Sequence, residues 1–71
     1  MKKKVVFGLH ALQRIEERGI TTHEVIEALE NPDKILNSFK ERILIEKYFP
    51  LKKVCVIYKE KLESIIVITV Y

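Results

Sequence analysis

His10-Ala11-Leu12-Gln13-Arg14-Ile15-Glu16-Glu17-Arg18-Gly19-Ile20 is the stretch from which the rest of the chain is placed. An α-helix turns about 100° per residue, so His10, Arg14 and Arg18 fall along one strip. Leu9, Leu12 and Ile15 fall on the opposite side with Ala11 at the border. The spacing predicts an amphipathic helix from Leu9 to Arg18, one face entering a core and the other showing an imidazole and two guanidinium groups to solvent. Gly19 stands where a left-handed cap is wanted, directly after the last helical residue. A neutral imidazole flanked by two permanent cations suits a phosphate diester.

Downstream, Thr21 and Glu24 have the spacing of a capping box, and Ile20 and Val25 occupy the staple positions on either side of it. A second helix therefore runs through Val25, Ile26, Ala28 and Leu29 until Asn31-Pro32 stops it. With so tight a linker the two helices are expected to form an αα-hairpin. Upstream, Lys3 to Phe7 is a β-branched run, an extended arm or an edge strand, broken by Gly8.

After Pro32 the apolar period changes from helical to alternating. Strands are expected over Lys34 to Phe39, Arg42 to Tyr48, Lys53 to Lys59 and Ser64 to Tyr71. A turn at Lys40-Glu41, a loop at Phe49-Pro50-Leu51-Lys52 and a charged turn at Glu60-Lys61-Leu62-Glu63 separate them. The expected architecture is α+β: an N-terminal helical hairpin packed on one face of a four-stranded antiparallel sheet. The last two strands are apolar on both faces, whereas a half-exposed antiparallel sheet alternates. A second copy of the chain or a partner protein is expected to cover the face that the helices leave open.

Seventy-one residues make one domain, residues 1–71, with a thin stability margin. A lone cysteine, Cys55, excludes an intramolecular disulfide, and its apolar surroundings point to a small buried side chain. The net charge of +3, from 13 basic and 10 acidic residues, permits a nucleic-acid partner without demanding one. After the opening lysines the apolar run is only Val5-Val6-Phe7, too short for a secretory signal or a membrane span. A soluble cytoplasmic protein is expected, without membrane association. Richness in Lys, Glu and Ile without Trp suits a thermophile.

His10-Ala11-x-x-Arg14, Glu17-Arg18-Gly19-Ile20, the Thr-capped helix ending in Asn31-Pro32 and the final Ile68-Thr69-Val70-Tyr71 together resemble a family of small prokaryotic proteins catalogued as a domain of unknown function. The pattern also resembles the wider group of RelE/ParE-like toxin folds, which includes ribonucleases. That resemblance implies a RelE-like, toxin-type RNA-binding protein, with metal-independent endoribonuclease activity as its strongest form and an antitoxin as partner.

RNA cleavage by internal attack needs a base, an acid and cations for the developing phosphorane charge. His10 is the candidate base, its imidazolium disfavoured by the helix start and by Arg14. Arg14 and Arg18 are candidates to grip the phosphate with two prongs, and Tyr71 to donate a proton. Arg42, Lys52 and Lys53 would extend the basic surface to RNA. Each has a plainer reading: His10 fixing the helix to a strand end, the arginines paired to Glu17 or Glu24, Tyr71 as a packing anchor, the others as solvated charge. His10 and His23 lack a third ligand at sensible spacing, so neither a metal nor any other cofactor is expected. The alternative function is a non-catalytic interaction module, an obligate homodimer whose His/Arg motif organises the fold.

Overall fold

A computed structural model of the chain describes residues 3–37 and 40–71. In chain order the elements are β1 (Lys4–Phe7), α1 (Leu9–Glu17), α2 (Thr22–Glu30), β2 (Lys34–Asn37), β3 (Arg42–Phe49), β4 (Lys52–Glu60) and β5 (Ser64–Val70). Ser38 and Phe39, the expected end of the first strand after Pro32, lie outside the described residues, as do Met1 and Lys2 of the opening basic run.

The architecture is α+β, but the expected four-stranded antiparallel sheet under an N-terminal helical hairpin is not what forms. The sheet has five strands in the order β1-β5-β4-β3-β2 and is mixed. β1 precedes the helices and pairs parallel with β5, Val5 beside Ile65 and Phe7 beside Val67. The remaining neighbours are antiparallel. Composition marks Lys4–Phe7 as extended but does not name its partner, which stands 60 residues away at Ser64. The chain leaves the sheet at one edge, crosses its face as two helices and returns as β2 at the other edge.

The helices consequently do not form a hairpin stacked on itself. α1 packs on β5, and α2 packs on β4 and β3. This also corrects the expected apolar face of α1. Ala11 and Ile15 are the buried pair, while Leu9 is 75% exposed and Leu12 44% exposed. The small Ala11 side chain lets the helix approach the sheet closely, and a leucine at that point would hold it off.

The two turns flanking Gly19 and Thr21 form as their residues dictate. Gly19 has φ +66°, and the amide of Ile20 donates to the carbonyl of Ile15 at 2.9 Å while that of Gly19 donates to Glu16 at 3.3 Å. This is a Schellman closure, and its apolar partners Ile15 and Ile20 are both buried. One residue on, the amide of Glu24 donates to Thr21 Oγ1 and the amide of Thr21 to Glu24 Oε1, each at 3.0 Å. Ile20 and Val25 close the staple beneath them.

Between helices and sheet lies one cluster that includes Val25, Ala28, Ile45, Val54, Val56, Val67 and Val70. Strand alternation, with a β-bulge between β4 and β5 at Ile57/Tyr58 that brings Val67 and Val70 to the same side, places the strand residues among these on one face only. Leu44, Ile57 and Ile66, one position along from the core residues, face the other way. Cys55 shares that other face, opposite Glu46 and bonded through its backbone to Tyr71. It is nonetheless only 3% exposed, and burial foremost, then Glu46, holds its thiol above the ordinary range. Alkylation by iodoacetamide at pH 8 is therefore expected to be at least tenfold slower in the native chain than in denaturant, read by mass spectrometry. Equal rates would contradict the packing.

Candidate functional site

The Schellman turn does more than end α1. By reversing the chain in two residues it leaves Arg18 at the helix terminus, one turn beyond Arg14, beside the tip of the β3–β4 hairpin. There Pro50 and Leu51 make a two-residue turn between the paired Phe49 and Lys52. Helix end and hairpin tip form a hollow of about 510 Å³ lined by Arg14, Glu17, Arg18, Ile20, Lys52, Lys53 and Tyr71.

Five of the residues expected to handle a phosphodiester therefore meet, from three separate parts of the chain. Arg14 and Arg18 come from α1, Lys52 and Lys53 from the start of β4, and Tyr71 from just beyond β5. The last is carried in by a backbone pairing: Cys55 N donates to Tyr71 O at 2.7 Å and Tyr71 N to Cys55 O at 2.9 Å.

Two expected residues do not join them. His10 is exposed and does not line the hollow; it sits on α1 four residues before Arg14, about 6 Å along the axis. Arg42 opens β3, at the end of that strand away from the hairpin, about 23 Å from Phe49 along an extended chain.

The cations are not equally available. Lys52 Nζ bonds Glu24 Oε1 at 2.9 Å and the carbonyl of Gly19 at 3.1 Å. This ammonium ties the hairpin tip to both the end of α1 and the start of α2, so Lys52 holds the wall of the hollow. Arg14 lies 3.5 Å from Glu17, a half-exposed pair worth about 0–1 kcal/mol. Arg18 and Lys53 have no side-chain partner among the described residues. The carbonyl end of α1 carries roughly half a negative charge. With Lys52 paired to Glu24 and Arg14 to Glu17, the unpaired Arg18 and Lys53 outweigh it, so the hollow attracts anions.

Glu24 is where the wall is sensitive to acid. The Lys52 ammonium, then the Thr21 amide, hold its carboxyl below the usual 4.5. A depressed folded value means stability present above the unfolded value and lost as pH falls through the folded one. Chemical denaturation is expected to show a midpoint that declines below about pH 4.5, and the decline shrinks in Glu24→Gln. Thr21→Ala removes the reciprocal cap and is expected to cost about 1 kcal/mol at pH 7.

Sequence reasoning did not find Glu24 and Gly19 as partners of Lys52. The capping box and the C-cap were legible, but that a lysine 28 residues further on closes over both depends on the sheet register. Among the described residues no group of three His, Cys, Asp or Glu side chains gathers where it could hold a metal ion. No helix among them is long and apolar enough to cross a membrane.

The family described as domain of unknown function (DUF4258) matches residues 7–71, nearly the whole chain. No curated protein and no solved structure matches. The chain belongs to that family; the match carries no toxin likeness with it.

Proposed function

From the cationic hollow, we propose that this member of DUF4258 binds RNA through its phosphodiester backbone at the end of α1. The observation that carries the reading is the convergence of Arg14, Arg18, Lys52 and Lys53 on one concave surface beside Tyr71. Guanidinium groups present paired N–H donors that match two phosphate oxygens at once, and a lysine adds a point charge. Tyr71 supplies a ring for a base to rest on, a contact that single strands offer and duplexes withhold.

Binding is better supported than cleavage. A toxin-type nuclease would need a base for the 2′-hydroxyl, and the nearest candidate, His10, stands outside the lining. The two activities separate in one variant: His10→Ala is expected to leave RNA affinity unchanged, and only a loss of product formation or growth arrest alongside that unchanged affinity would favour a nuclease.

Fluorescence anisotropy with a labelled single-stranded RNA, repeated between 50 and 300 mM salt, tests the reading. Two to three phosphates neutralised in the hollow predict a slope of log K against log salt of roughly −1.4 to −2.1. A slope near zero, or no binding at low salt, removes the proposal.

A further inference from the structure

The face of the sheet turned away from the helices carries a second recognition surface. Strand pairing aligns Leu36, Leu44, Ile57 and Thr69 in one row across β2, β3, β4 and β5. The next row holds Val6, Ile66, Lys59 and Arg42. Neither helix lies over them, and Leu36 and Val6 remain 46% and 39% exposed.

Arg42 and Lys59 stand directly opposite each other in the antiparallel ladder, and neither has a side-chain partner among the described residues. Like charges at directly opposed positions are destabilising in a sheet. Set along an aliphatic row, they ask for an occupant that is apolar on one side and anionic on the other.

Three occupants can be compared on charge and chemistry. A second copy docked face to face about a two-fold axis passing near Arg42 and Lys59 would bring this cation pair against its own image, adding repulsion to repulsion. RNA would satisfy the cations but leave aliphatic Leu36, Leu44 and Ile57 without stacking surfaces. An amphipathic helix with acidic residues along one flank satisfies both. The row crosses four strands, about 14 Å, the length of a helix of roughly ten residues.

We propose that the helix-free sheet face docks an acidic amphipathic helix of a partner protein, its leucine-like side chains on the Leu36–Leu44–Ile57 row and its carboxylates on Arg42 and Lys59. The surface is separate from the hollow and stands whatever the hollow binds. It exposes an apolar stripe that a partner would be expected to cover.

The test uses three helical peptides with the same leucine positions and with Glu, Gln or Lys on the flank, titrated into the ¹⁵N-labelled full chain. The expected affinity order is acidic over neutral over basic, at least tenfold between the extremes. Amide shifts are expected at Leu44, Ile57 and Ile66. Arg42→Glu combined with Lys59→Glu is expected to reverse that order. An order indifferent to charge, shifts confined to other surfaces, or no saturable shift with any peptide would overturn the proposal. So would a chain that self-associates in sedimentation and is made monomeric by Ile57→Lys, or an RNA titration whose shifts fall on this face.

Discussion

Replacing Arg14 and Arg18 together by alanine is expected to weaken single-stranded RNA binding on the order of 100-fold. Each removes a charge-assisted contact of about 1.5 kcal/mol or more, and 1.4 kcal/mol is a factor of ten. The fold should tolerate the change. Arg18 is exposed, and Arg14 gives up only its half-exposed pair with Glu17. Thermal unfolding should therefore move by no more than a few degrees. Lys61→Ala, in the turn at the opposite end of β4 from the hollow, serves as the control and should leave affinity unchanged. If the double variant keeps its affinity, the arginines are solvated charge and the hollow is not the site.

The largest stability effect is expected at Ile45. Its side chain is fully buried at the centre of β3, paired with Val56 and flanked by Ile35 of β2. Truncation to alanine removes three carbons from a close-packed layer and leaves a cavity, which costs about 2–5 kcal/mol. A domain of this size rarely holds more than about 3–5 kcal/mol from its core. Ile45→Ala is thus expected to be largely unfolded at 37 °C by circular dichroism, whereas Ile35→Ala, at a position 65% exposed on the edge strand, should cost under 1 kcal/mol. Comparable losses at the two sites would show that the core lies elsewhere.

Local chemistry in this chain was legible where neighbours in sequence are also neighbours in space. The glycine cap, the capping box and the Ile20/Val25 staple could all be read from spacing alone, because each closes within six residues. The strand-rich second half followed from alternation in Arg42–Phe49, from the β-branched apolar runs of the last two strands and from the charged and Pro-containing turns between them. What could not be read was pairing at long range. Lys4–Phe7 looks extended, but nothing in those four residues says that Ser64–Val67 is its parallel neighbour. Missing that pairing turned a five-stranded mixed sheet into a four-stranded antiparallel one and a crossover into a hairpin.

The apolar face of α1 failed for a related reason. Periodicity weights residues by size and prefers Leu9 and Leu12, whereas close approach to β5 requires the smaller Ala11. The site shows the same division. Arg14 and Arg18 were found by helical spacing, and Lys52 and Lys53 by charge. Their meeting, the exclusion of His10 and Arg42, and the hold of Glu24 on Lys52 all depend on how the hairpin reaches the helix end.

The most direct check is a ¹H–¹⁵N titration of the chain with a short single-stranded RNA at low salt. A site at the end of α1 predicts saturable shifts clustered at Arg14, Arg18, Gly19, Lys52, Lys53 and Tyr71, with little change along Leu44 and Ile57. Shifts that never saturate, or that gather anywhere other than around that cluster, would contradict it.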